Sequence, residues 1–214
     1  MSQAYEFLYP FLYEETAGDA TAVLEAVRCS SLQKCLDVVA LRRRFIAEEA
    51  DALHAAANAM AQRFRAGGRL LVFGCGGSAT DALDVAHDFA RPAFGSAPLP
   101  ALALSSDVAV ITAVANDVGF DSVFVRQLIA HGRPQDIALG ISTSGNSPSL
   151  LAAFRRAQTQ GMLTVAILGY DGGAAVRSGV LDHALIVRGD YIPRVQEAQA
   201  TVYHALRELI GACA

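Results

Sequence analysis

The chain has no tryptophan. Its four cysteines, Cys29, Cys35, Cys75 and Cys213, show neither a C-x-x-C pair nor zinc-finger spacing. That excludes disulfide scaffolds and small zinc modules, and leaves free thiols suited to a reducing cytoplasm. Charge is also sparse: 18% of residues are Asp, Glu, Lys or Arg, with a net balance of -4. A mildly acidic chain is a poor match for a nucleic-acid surface. The one basic cluster, Arg42-Arg43-Arg44, stands beside Glu48 and Glu49, where i,i+4 pairing makes it a solvated helix face. No apolar run is long enough to span a bilayer, and Met1 leads into a segment with acidic residues and no basic leader region. Neither a membrane span nor a secretory signal is expected, and the cytoplasm is the expected location. Residues 31–66 contain no Gly or Pro.

What the chain does have is apolar surface, 53% of its residues. Its 214 residues suffice for one α/β domain with its own core plus appended helices. Residues 1–30 read as a helical arm interrupted near Pro10 and Gly18. Residues 31–66 read as one long helix, closed by Gly67-Gly68. Its apolar positions spread over much of its circumference, so it is expected to pack against the helices of another subunit. After Gly68 the pattern alternates. Short apolar runs at 69–73, 101–104, 137–141, 163–168 and 184–187 are separated by helical segments near 78–90, 107–115, 121–131, 148–160 and 173–178. A last helix covers about 192–211. This predicts a five-stranded parallel sheet covered on both faces, with ligands at the carboxyl ends of the strands. The expected division is a helical arm over 1–66 and an α/β domain over 67–214.

Two loops sit at such strand ends. Ser142-Thr143-Ser144-Gly145-Asn146-Ser147 carries hydroxyl and amide side chains around one glycine and precedes a helix opening at Pro148. Gly74-Cys75-Gly76-Gly77-Ser78 follows the first strand. Hydroxyls and bare amides at a helix N-terminus suit an anion. No Lys follows the first loop, which excludes a Walker A motif, and no acidic residue closes the second strand, which weakens a dinucleotide reading. No Arg or Lys flanks the second loop, so phosphate would be held by hydroxyls and amides, as suits a sugar monophosphate. The following helix puts Asp81, Asp84 and Asp88 on one face. Such a face is either solvated or turned to the ligand, where Asp84 and Asp88 could share a divalent ion or act as base and ligand. On the last helix, Gln196 and His204 lie eight residues apart, about 12 Å of rise, among apolar neighbours.

Gly74–Ser78, Asn116-Asp117, Gly140–Ser147, Gly169-Tyr170-Asp171-Gly172-Gly173 and Arg194-Val195-Gln196-Glu197 together resemble the sugar isomerase (SIS) domain, and within it the phosphoheptose isomerases, over about residues 35–211. The resemblance implies a flavodoxin-like fold, a homotetramer, and ketose-to-aldose conversion of sedoheptulose 7-phosphate to D-glycero-D-manno-heptose 7-phosphate through an enediol. It assigns phosphate binding to Ser142, Thr143, Ser144 and Ser147. It assigns sugar contacts to Cys75, Gly76, Gly77, Ser78, Asn116, Asp117 and Gln196, and catalysis to Asp88 and His204. A Zn²⁺ site, or one for another divalent cation, falls to Asp84, Asp88, Gln196 and His204. Three positions depart from the family pattern: Asp88 stands for a glutamate, Asp84 for a histidine and Cys75 for an asparagine. The oxygen-rich set this leaves admits a harder divalent ion than zinc. A second reading shares the same residues: a non-catalytic phosphosugar-binding or regulatory protein, of the type that associates with a replication initiator. An isomerase of another phosphosugar is a third.

Overall fold

The computed structural model describes residues 20–92 and 97–213. The expected arm before Ala20 lies outside them. The first described helix, α1, runs Ala20–Arg65. It starts well before residue 31 because nothing between Gly18 and Gly67 breaks it. The chain divides into two compact units after Asp37. The second holds the rest of α1 and then β1 (Leu70–Gly74), α2 (Gly77–Ala90), β2 (Ala101–Ala103), α3 (Val108–Asp117), α4 (Val123–His131), β3 (Ile137–Ser142), α5 (Pro148–Thr159), β4 (Leu163–Gly169), α6 (Gly173–Arg177), β5 (His183–Val187) and α7 (Ile192–Cys213). A 3-10 turn, Phe120–Ser122, joins α3 to α4.

The five strands form one sheet in the order β2-β1-β3-β4-β5, all neighbours parallel. The side-chain period of two divides each strand between two cores. Leu70 and Val72 of β1, Ile137, Leu139 and Ile141 of β3, and Val165 and Ile167 of β4 face one side. There they meet Phe45, Leu53, Ala57 and Met60 of α1, Ala82 and Val85 of α2, and Val195, Val202 and Leu206 of α7. Leu71, Phe73, Ala138, Ala166 and Leu168 face the other side, against Phe124 and Leu128 of α4 and Leu150, Ala153 and Phe154 of α5. Strands buried on both faces appear in sequence as continuous apolar runs, which makes them legible there.

The topology locates the site. The chain leaves β1 for β2 at one edge, then returns to set β3 on the other side of β1. Helices leaving β1 and β3 therefore cover opposite faces, and a crevice opens between the two carboxyl ends. Gly74 pairs with Ile141 in the register, so both glycine/hydroxyl loops leave the sheet side by side at this point.

Phe154 is fully buried, with its ring 5.3 Å from that of Phe73. Phe154→Ala is expected to lower unfolding free energy by about 3–5 kcal/mol. Urea denaturation measures this, and a loss below about 1 kcal/mol would show that the face collapses around the gap.

Candidate functional site

The two loops touch. Cys75 Sγ lies 3.5 Å from Ser149 Oγ and 4.0 Å from Ser147 Oγ, and the two serine hydroxyls are 3.0 Å apart. The Ser142–Ser147 loop is shaped from within. The Gly145 amide donates to Ser142 Oγ and the Asn146 amide to Ser144 Oγ. It is also braced by the segment that follows β4: Asn146 Oδ1 accepts from the Ala174 amide, and the Ala175 amide donates to the Gly145 carbonyl. Gly145 has φ +63, and a Cβ there would strike the Gly172 carbonyl. Only glycine fits this position. Ser142 is buried, whereas Thr143, Ser144 and Ser147 are partly open. Ser142 and Ser144 oxygens both accept loop amides, and of the four hydroxyls those of Thr143, Ser144 and Ser147 belong to partly open residues.

Helices α2 and α7 supply the second half. A Cβ on Gly77 would strike the Gln196 amide, so the start of α2 and that side chain are in close approach. The Gln196 amide also hydrogen-bonds Asp81. Asp81 is raised to about 6 by burial, opposed by the Gln196 hydrogen bond and reinforced by the Asp84 charge. Its Oδ2 is buried with no hydrogen-bond partner. Asp81, Gln196, Pro193, Glu197 and Ala200 border a cleft of about 340 Å³, large enough for a small ligand.

One turn along α2, Asp84 Oδ2 lies 3.6 Å from His204 Nε2, with both side chains about half exposed. The same oxygen accepts a hydrogen bond of 2.8 Å from the Tyr203 hydroxyl. Burial, the bond to Asp84 and the charges of Asp84, Asp81 and Asp88 push the Tyr203 phenol up, so it is a proton donor at neutral pH. Asp88, half-buried, lies one further turn along α2, near enough for its charge to reach that phenol. Among the described residues, no three His, Cys, Asp or Glu side chains form a group able to hold a metal. The Asp84–His204 pair is nevertheless spaced as two donors around one ion. Ligands about 2.0–2.2 Å from a tetrahedral centre lie about 3.3–3.6 Å apart, whereas 3.6 Å is long for a direct hydrogen bond.

The structure brings Cys75 beside Ser147, Gly77 beside Gln196, and Asp84 beside His204, but among the described residues it does not gather Asp84, Asp88 and His204 into one cation group. Asn116 and Asp117 end α3 in the open, where Asn116 Nδ2 donates to Asp117 Oδ1. Sequence reasoning assigns Asp81 nothing beyond its helix face, and does not single out Tyr203. The available signal for Tyr203 is a phenol at a core position of α7, because a buried hydroxyl needs a partner.

A family model described as the SIS domain matches residues 35–169. The phosphoheptose isomerase of Solidesulfovibrio magneticus is 43% identical over 175 residues, covering 81% of this chain and 84% of that one. That of Geobacter sp. (strain M21) is 39% identical over 189 residues, covering 88% and 95%. Among solved structures, phosphoheptose isomerase GmhA from Neisseria gonorrhoeae superposes with a TM-score of 0.79 at 31% identity, covering 89% of this chain and 99% of that one. A phosphoheptose isomerase from Francisella tularensis gives 0.74 at 33% identity, covering 89% and 97%. On this similarity, together with the five-stranded fold, the chain belongs to the phosphoheptose isomerase family of SIS-domain proteins.

Proposed function

We propose that the chain isomerises sedoheptulose 7-phosphate to D-glycero-D-manno-heptose 7-phosphate. The observation that carries this reading is the Asp84–His204 pair, set at 3.6 Å on the two helices that flank the touching loops. Thr143, Ser144 and Ser147 are the phosphate donors, on a loop whose shape is already fixed by Ser142 and Gly145. Asn116 and Asp117 are assigned to the sugar as the family pattern implies. Asp88 takes the C1 proton. The C1–H electrons form the C1=C2 bond, the C2 oxygen gains a proton, and an enediol results. Loss of the O1 proton and return of a proton to C2 then give the aldehyde. His204 is assigned the transfer of that proton from O1 to O2, as the family pattern implies.

Asp84 and His204, with Gln196 and Asp88 as the other members of the set, would hold a divalent cation, zinc or a harder ion. Such an ion, when bound, polarises the carbonyl oxygen. Exposed Leu24, Leu32, Leu36, Val39 and Ile46 on α1 support association of copies, and the family pattern points to a tetramer. Among the described residues, no helix is long and apolar enough to cross a membrane.

The departures at Asp84, Asp88 and Cys75 favour one other reading, a phosphosugar-binding protein without turnover. NMR of products from sedoheptulose 7-phosphate, with and without Zn²⁺, separates the two. Aldoheptose phosphate is the expected product, and binding without conversion would establish the second reading. Asp88→Asn and His204→Ala are each expected to lower kcat by at least about 100-fold, with phosphate affinity kept. Full turnover in both variants would overturn the roles assigned to Asp88 and His204.

Asp81 also sets a pH dependence of stability in chelator-treated protein. Its folded value, about 6, exceeds the ordinary 3.8, so the folded state binds its proton more tightly. Stability contributed by the protonated form is full below about pH 4 and is lost as pH rises through about 6. Asp81→Asn should therefore raise the urea midpoint at about pH 7.5, with the gain vanishing near about pH 4. An equal gain at both values would mean that the charge is not the cause.

A further inference from the structure

Tyr203 belongs to neither loop, yet it touches both members of the polar pair. It is 3% exposed and packs in the core shared by α1, α2 and α7, while its hydroxyl reaches Asp84. Its ring stands edge-on to the His204 imidazole, with centroids 4.7 Å apart and planes at 70°. One buried side chain thus fixes two that are half exposed.

A half-exposed aspartate is otherwise free to turn. Its two side-chain torsions are damped only by what holds its oxygens, and immobilising a polar side chain costs entropy that a ligand would have to offset at binding. A hydrogen bond to a carboxylate is charge-assisted and directional. The donor to Asp84 is a phenol whose own ring is clamped by the core, so it cannot follow Asp84 into solvent. Oδ2, the oxygen so held, is also the one facing His204 Nε2. An oxygen that accepts one hydrogen bond keeps further acceptor capacity, so holding Asp84 does not consume its ability to ligate.

We propose that Tyr203 is the positioning residue of this site: its hydroxyl holds Asp84 Oδ2 opposite His204 Nε2 and so presets the pair for a divalent cation. This rests on reading the pair as a cation site. Partners behind the ligands commonly set metal affinity by about 10–100-fold.

The test is calorimetric titration of the full chain with Zn²⁺, and separately with inorganic phosphate. Tyr203→Phe keeps the ring and removes only the hydroxyl. It is expected to weaken Zn²⁺ binding by about 10–100-fold and to leave the phosphate affinity within about threefold, because the phosphate loop is held by other contacts. In an Asp84→Ala background, Tyr203→Phe should change Zn²⁺ affinity less than about threefold, since the residue it acts through is gone. Unchanged Zn²⁺ affinity in Tyr203→Phe overturns the positioning role, as does an equal loss in both backgrounds. A wild-type chain that binds phosphate but no Zn²⁺ overturns the cation reading beneath it. If Tyr203→Phe does not fold, Tyr203→Leu takes its place in the same cycle, with the same expected loss and the same overturning outcomes.

Discussion

The reversal of winding direction between β1 and β3 is the constraint from which the rest follows. Right-handed crossovers force the helices leaving these two strands onto opposite faces of the sheet. The strand ends between them cannot be covered, and the register at Gly74 and Ile141 sets their two loops edge to edge. Everything polar in the site is built over that gap. The Ser142–Ser147 hydroxyls come from one side, the Gly76-Gly77 amides from the other, and α7 returns at the end of the chain to lay Gln196 against Gly77. The Asp84–Tyr203–His204 contacts extend the same seam along α2 and α7.

Much of the fold is readable from the chain alone because its signals are local. Apolar runs such as Leu70–Phe73 and Ile137–Ile141 are buried on both faces, and Gly67 and Pro148 mark the neighbouring helix ends. The phosphate loop is readable for the same reason, since its serines lie within six residues of each other. The continuity of α1 from Ala20 is harder to read, because residues 1–30 read in sequence as a separate helical arm although nothing between Gly18 and Gly67 breaks the helix. Tyr203 and Asp81 are not legible as site residues. What distinguishes them is burial against an element more than 100 residues away in sequence, and no spacing rule reports that.

At Asp84, where the resemblance implies a histidine, the shorter side chain has its own hydrogen-bond donor behind it. An aspartate is shorter than a histidine and has more ways to be solvated, so by itself it specifies a position less well. The phenol behind it restores a fixed orientation. Cys75 presents a related case: its thiol, in a position that the resemblance gives to asparagine, still spans the two loops through Ser149 and Ser147.

Gln196 and His204 ride on one helix, and the first turns of that helix are tied to α1, where Arg42 donates to the Glu197 carbonyl at 3.3 Å and Leu41 packs beside Gly189. Beyond that tie α7 is held along its length, because Val195, Ala198, Val202 and Leu206 are buried in the core it shares with α1. The spacing of the amide and the imidazole along the helix is therefore set by the packing of the domain, and a molecule that touches both has to match that span.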